Sequence, residues 1–323
     1  MTPPQGPVLD IKNLTKRYGA FTALDDLSLS LDRGQILGFI GPNGAGKTTT
    51  IKILVGANRP TSGTASIAGA DCVRDARRIK RLVGYMPDTF GAYDNMRVRE
   101  YLDFFGAAFG IPRRARKKRI DEVLETTGSA WMQDRYVEAL SHGMKQRIGV
   151  ARTLLHDPEV LILDEPANGL DPQARIEMRD LLLRLAAMGK TLVVTSHILP
   201  ELSRICDVVA IITQGKLRAF GTLDRIMRDL RQKRTFEVQT CSAEKVAAAA
   251  ESIRSALDPA EREQVTALPN ESLVRFDTAV GDGELAAMLA ALVGKGVDVA
   301  QFREVPKDLE DAFLSVTRRE PAA

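Results

Sequence analysis

Residues Gly41-Pro42-Asn43-Gly44-Ala45-Gly46-Lys47-Thr48-Thr49 match the phosphate-binding pattern G-x-x-x-x-G-K-S/T at every fixed position. Glycines at these places let the backbone curl so that successive N–H groups converge on phosphate oxygens, and Lys47 adds a mobile positive charge. The Thr48 hydroxyl suits Mg2+, and a helix opening at Thr48 points the positive end of its dipole at the anion. Alone, such a loop leaves kinases, GTPases and many motors open.

Two further groups narrow the chemistry. Asp164 and Glu165 follow the apolar run Val160-Leu161-Ile162-Leu163, so a strand end carries adjacent carboxylates. Asp164 can hold the hydration shell of Mg2+ while Glu165 polarises an attacking water. Adjacent side chains at a strand end leave in different directions, so the two acids can serve different targets. In Leu140-Ser141-His142-Gly143-Met144-Lys145-Gln146-Arg147, Ser141 occupies a helix N-cap position ahead of the amphipathic run 148–155. Ser141 and Gly143 at a helix N-terminus make a receptor for a terminal phosphate; simple capping accounts for an isolated serine there just as well.

These groups need a rigid frame. Residues 35–40 read as a buried strand before the loop, and 50–55 continue the helix after it. The runs 160–163, 191–194 and 208–212 are short, apolar and bounded by turn signals, with amphipathic helices such as 173–188 between them. That alternation predicts a largely parallel sheet buried between helices. Alternating apolar positions predict short strands in 8–31 and 64–68, and a wide apolar stripe predicts helices over about 95–155. A polar connector at 228–234 predicts one domain over 1–228 and a second over 229–323. The second reads as strand 235–240, helix 243–257, strands 264–268 and 272–277, helix 283–294, strand 297–303 and helix 307–318. This βαββαβ order predicts a small α+β, ferredoxin-like fold with one more helix. It has no evident catalytic cluster, so a regulatory, dimer-supporting or docking role is expected.

Composition bounds the rest. The 323 residues suit two domains, and 45 basic against 42 acidic residues leave a net charge of +3, too balanced to argue for nucleic acid or an anionic membrane surface. Cys72, Cys206 and Cys241 have neither metal-ligand nor redox spacing, which predicts reduced structural thiols in a cytosolic setting. Residues 1–6 lack the charged and apolar regions of a secretory signal, and no apolar run has bilayer-spanning length. Any work at a membrane is therefore expected to rely on a partner that spans it.

Over residues 8–228 the chain resembles the nucleotide-binding subunit of ATP-binding cassette (ABC) transporters, with the family's motifs in order. Residues 41–49 resemble the Walker A motif, 140–147 the signature sequence and 160–165 the Walker B motif. Asn168-Gly169-Leu170-Asp171 resembles the D-loop, Thr195-Ser196-His197 the switch histidine, and Tyr18 the aromatic that stacks on adenine. The resemblance implies a P-loop NTPase of the ABC ATPase type: a mostly parallel sheet with helices, a small antiparallel β subdomain and a helical subdomain. It implies ATP and Mg2+, the metal held by Thr48 and Asp164 with Asp88 nearby, Glu165 as general base and His197 on the γ-phosphate. Two subunits would sandwich two ATP molecules head to tail, each between residues 41–49 of one and Ser141-His142-Gly143 of the other, with Ser141, Gly143 and Asp171 among the nucleotide-binding residues.

The partners implied are an integral-membrane permease on a separate chain and a second ATPase, identical or paralogous, at the cytoplasmic face of the membrane. The bacterial ABC-2 type, often exporters of drugs, lipids or polysaccharides, is the subtype most resembled. The alternative is a soluble ABC ATPase acting on nucleic acid or the translation machinery; the single cassette and balanced charge count against it. Two departures stand out: Asp88 where the family usually has glutamine, and His142 and Met144 for the usual glycine and glutamine of the signature. The aromatics Phe90, Tyr93, Tyr101, Phe104 and Phe105 either face the membrane partner, as the resemblance implies, or pack in a helical core. The basic run 113–119 reads as a solvated helix face, with lipid headgroups or nucleic acid as the other option.

Overall fold

The structure is a computed structural model that describes residues 6–88, 91, 95–197, 202, 204–230 and 234–305. Phe90, Tyr93 and the helix expected over 307–318 lie outside the described residues. Two compact units are present, Met1–Leu223 and Asp224–Ala323.

In the first unit, strands β1 (Leu9–Tyr18), β2 (Phe21–Leu31), β4 (Ser62–Ile67) and β5 (Ala70–Asp71) form an antiparallel sheet in the order β2-β1-β4-β5. The second sheet has the order β10-β9-β3-β8-β7-β6, from β3 (Ile36–Ile40), β6 (Val83–Met86), β7 (Val160–Leu163), β8 (Thr191–Ser196), β9 (Val208–Thr213) and β10 (Lys216–Gly221). All its pairings are parallel except β10 with β9. Every residue of β3, β7 and β8 is buried, the pattern of strands covered on both faces and the reason they appear in the sequence as unbroken apolar runs. Each fully buried leucine, isoleucine or valine there stabilises the fold by roughly 1.5–3 kcal/mol relative to exposure.

Parallel register decides where the chemistry sits. Ile40 lies opposite Ser196, and Leu163 opposite Val194, so β3, β7 and β8 finish at one edge. The loop 41–49, Asp164-Glu165 and His197 leave the sheet side by side there, as ligand-binding groups do at the carboxyl ends of strands in open α/β sheets. Helix α1 (Lys47–Leu54) follows the loop directly.

Helices α2 (Ala76–Leu82), α3 (Val98–Ala108), α4 (Arg113–Thr126) and α5 (His142–Leu154) account for most of the region between the strands. The basic run of α4 divides by function. Arg116 pairs with Asp103 of α3 at 2.6 Å, and Arg119 donates to the Leu154 and Leu155 carbonyls that end α5. Arg113, Arg114, Lys117 and Lys118 stay exposed. The aromatic patch divides likewise: Tyr101 is fully buried and accepts from Arg152 at 3.0 Å, whereas Phe104 is 44% exposed.

In the second unit the sheet order is β12-β13-β11-β14, all antiparallel, from β11 (Arg234–Thr240), β12 (Thr266–Leu268), β13 (Leu273–Thr278) and β14 (Val299–Val305). Helices Val246–Ala256 and Asp282–Gly294 supply apolar side chains to one core with Phe236, Val238, Val274 and Phe276. A short helix, Pro259–Arg262, joins the first of them to β12; its Pro at the first turn and Asp258 ahead of it are its only local signals. Glu237 on β11 is buried under Arg275 and Arg303 from the two neighbouring strands. Burial pushes its carboxyl up, but the two guanidinium bonds and charges outweigh that and hold it below the usual carboxylate range. The thiols of Cys72 and Cys206 are pushed up to about 12, chiefly by burial, which keeps both protonated and unreactive.

Candidate active site

Gly41 and Gly46, at the two ends of the loop, are seated by backbone contacts that leave no room for a side chain. A Cβ on Gly41 would lie 2.3 Å from the Ile212 carbonyl oxygen, and one on Gly46 2.8 Å from that of Ala23. Gly46 also has φ 109° where it precedes α1, a conformation open to glycine. The Gly215 N–H donates to the Ala45 carbonyl at 2.9 Å, so the turn between β9 and β10 supports the loop from beneath. Within this cradle Pro42, Asn43 and Gly44 form the exposed or near-exposed rim, while Ala45 and Lys47 are buried. Thr48 and Thr49 occupy the first turn of α1. The Lys47 ammonium donates to the Gly41 carbonyl at 2.6 Å and lies 3.6 Å from Glu165 Oε1.

Opposite the loop, one hydroxyl organises both acids. Thr195 Oγ1 donates to Asp164 Oδ1 at 2.6 Å and accepts the Glu165 backbone N–H at 2.9 Å. Thr195 is fully buried, so these bonds are not exchanged with solvent. Burial raises the Asp164 carboxyl above its usual range, and the negative charges of Asp88 and Glu165 add to this against the Thr195 bond and Lys47. Glu165 has φ 52°, a left-handed conformation costly for a side-chain-bearing residue, which turns its carboxylate toward the loop lysine. Its Oε2 lies 2.8 Å from His197 Nδ1; the carboxylate accepts, so Nδ1 carries the proton. Glu165 is thus held between Lys47 and His197.

The sequence singled out Thr195 only as part of a motif, and its bridging role was missed. The signal for it is weak: a threonine one residue beyond the apolar run 191–194, whose meaning depends on β7 pairing with β8. Thr195→Val keeps the volume but leaves the Asp164 oxygen and the Glu165 N–H without this partner. We expect a stability loss of about 1–3 kcal/mol in urea unfolding and a roughly 10-fold fall in ATP turnover, with Thr195→Ser close to the parent protein. Unchanged unfolding and turnover in the valine variant would remove Thr195 from the site.

The remaining sequence-predicted residues lie on neighbouring elements. Ser141 is the N-cap of α5, accepting the Met144 N–H at 3.3 Å, and Gly143 packs against Ala174. Asp171 is the N-cap of α6 (Pro172–Ala187), accepting the Ala174 N–H at 2.9 Å ahead of Pro172. Asp88 is exposed just beyond β6. Tyr18, at the end of β1, is half-exposed; Asn58 donates to its hydroxyl at 2.8 Å, and the Lys16 ammonium sits 4.8 Å over its ring. No group of three or more His, Cys, Asp or Glu side chains among the described residues forms a metal cluster. No helix among them is long and apolar enough to cross a membrane.

A family model described as ABC transporter matches residues 24–168. The Nod factor export ATP-binding protein I of Ralstonia nicotianae is 37% identical over 316 residues, covering 97% of this chain and 95% of that one. The bacitracin transport ATP-binding protein BcrA of Bacillus licheniformis is 36% identical over 311 residues, covering 96% and 97%. Among solved structures, one described as the ATP binding subunit of an ABC transporter superposes with a TM-score of 0.63 at 32% identity, covering 69% of this chain and 93% of that one.

Proposed function

This chain belongs to the ATP-binding, ATP-hydrolysing subunits of ABC transporters, and from that premise we propose that it powers an exporter by closing head to tail with a second ATPase subunit. The observation that carries the reading is Glu165, held at the ends of parallel strands between the loop lysine and His197. A terminal phosphate in the loop attracts the same two donors, Lys47 and His197. Glu165 is then released to take a proton from the attacking water, while His197 orients that water beside the γ-phosphate.

The residues also fit Mg2+. Asp164 uses Oδ1 for Thr195, and the negative charges of Asp88 and Glu165 together with burial raise its carboxyl, an excess of negative charge that a divalent cation would offset. Thr48 and Asp164 would hold the ion, with Asp88 as a further carboxylate nearby; few protein ligands is the usual state for Mg2+ on a nucleotide. When bound, the ion neutralises charge on the β- and γ-phosphates. Residues 41–49 wrap the phosphates of one ATP, and adenine stacks on the Tyr18 face opposite Lys16. Ser141, Gly143 and Asp171 of one subunit complete the site of the other.

The permease is a separate chain, and the ATPase works at the cytoplasmic face of the membrane. A groove of about 550 Å3, lined by Lys80, Tyr85, Phe109 and Arg152, has apolar walls and a basic rim, suited to an amphipathic permease helix carrying an acid. The reading of an exporter rests on the likeness to the Nod factor export and bacitracin transport ATP-binding proteins. We read the second unit as ferredoxin-like, supported by the strand order β12-β13-β11-β14 with helices after β11 and β13. The domain boundary falls near residues 223–229, and the second unit serves regulation or docking. Nucleic acid is no part of this reading.

Light scattering with a slowly hydrolysed ATP analogue and Mg2+ tests the dimer, and purification from detergent-solubilised membranes tests the partner. We expect an analogue-dependent dimer and a co-purifying polytopic membrane protein. A chain that stays monomeric at saturating analogue, or that brings down ribosomes or DNA, overturns the reading.

A further inference from the structure

We propose that His142 is a positioning residue that couples the two ATP sites of the dimer, because its imidazole ties the phosphate-receiving end of α5 to the turn that aims Glu165. The inference rests on the head-to-tail reading above, in which α5 serves the partner's ATP and Glu165 serves the subunit's own.

His142 is the first residue of α5, and Ser141 already caps that helix, so the histidine is not needed as a cap. Its Nε2 lies 2.8 Å from the Asn168 carbonyl oxygen. A carbonyl only accepts, so Nε2 carries the proton and donates. The nearby Gln146 amide nitrogen, 3.5 Å from the same Nε2, is therefore a neighbour rather than a donor to it. The ring also lies over Gly169, where an added Cβ would stand 3.5 Å from Nε2. Gly169 has φ 68°, which keeps this turn tight.

Asn168 continues the path. Its N–H donates to the Glu165 carbonyl at 3.1 Å, so one residue accepts from His142 and holds the backbone of Glu165. The left-handed φ of 52° at Glu165 means that a small rotation of this turn re-aims the carboxylate between Lys47 and His197. Next to His142, Gly143 packs against Ala174 and Leu170, so the start of α5 and the segment 168–174 meet at two points. A phosphate seated on the N-terminus of α5 sets the position of that helix end. Through His142 and Asn168 the same displacement reaches Glu165, which works on the other ATP. Occupancy of one site then adjusts the base of the second, the two-site differential contact that cooperativity requires.

His142 is exposed, so its replacement removes no core packing. The test measures ATP hydrolysis against ATP concentration for the parent chain, His142→Leu and His142→Gln, with analogue-driven dimerisation of each as a control. We expect His142→Leu to dimerise normally and keep its KM within about two-fold, while kcat falls on the order of 5- to 20-fold and the Hill coefficient drops toward 1. His142→Gln, whose amide N–H still reaches a carbonyl, should recover most of the rate and the cooperativity. A His142→Leu variant with parental kcat and Hill coefficient, in a chain that does dimerise, overturns the coupling alone. Equal loss in both variants also overturns it, because that pattern reports ring bulk and not the donated bond. Absence of a dimer in the parent chain overturns the head-to-tail reading and the coupling with it.

Discussion

Glu165→Gln is expected to lower ATP turnover by about three orders of magnitude while leaving ATP binding in place, so that the protein accumulates as an ATP-bound dimer. A positioned general base contributes typically 10²- to 10⁴-fold, and glutamine keeps the shape of glutamate without its ability to take a proton. The geometry makes the loss specific. Glu165 is the carboxylate beside the loop lysine, at 3.6 Å, and it accepts from His197 at 2.8 Å. Its backbone N–H is held by Thr195, a bond the substitution leaves intact. Single-turnover phosphate release and size-exclusion chromatography with ATP check the two halves of this expectation. Hydrolysis near the parental rate would assign the base elsewhere, with Asp88 the next carboxylate to replace.

Lys47→Ala is expected to act one step earlier, raising the Kd for ATP at least about 100-fold, as loss of a desolvated charged partner of an anion does. Lys47 is buried and directed inward by the Gly41 carbonyl at 2.6 Å, so no other side chain of the loop replaces its charge. Lys47→Arg is not a conservative control, since a planar fork does not fit a place shaped for a compact ammonium. Because the alanine also frees the Gly41 carbonyl, a stability loss of about 1 kcal/mol accompanies it. Fluorescent-nucleotide titration measures the affinity, and combining Lys47→Ala with Glu165→Gln should abolish the ATP-trapped dimer. Retained trapping in that double variant would mean that the loop backbone alone binds the phosphates.

What residues 41–49 can do was determined by the sequence itself, because a phosphate cradle is built from consecutive backbone N–H groups and Gly41, Gly44 and Gly46 lie in one short loop. The buried parallel strands were equally legible, since a strand covered on both faces needs an unbroken apolar run, as in 160–163 and 191–194. The helix cap at Ser141 acts over three residues and was readable for the same reason, whereas the cap at Asp171 emerged only with the structure. In the second unit, alternating polarity exposed the main strands and helices, but the helix Pro259–Arg262 is a single turn and too short for periodicity to reveal.

Tertiary structure decided how these local pieces act on one another. Thr195 bridges Asp164 and Glu165 only because β7 and β8 are paired in a register that sets Leu163 opposite Val194. The basic run of α4 separates into structural ties at Arg116 and Arg119 and exposed cations between them only once α3 and the end of α5 pack alongside. Tyr101 became core and Phe104 surface by the same packing. His142 reaches Asn168 across a separation that no periodicity encodes. Bonds within a few residues are written in the order of the chain, whereas a bond between distant residues exists only after strand register and helix packing have placed its two ends.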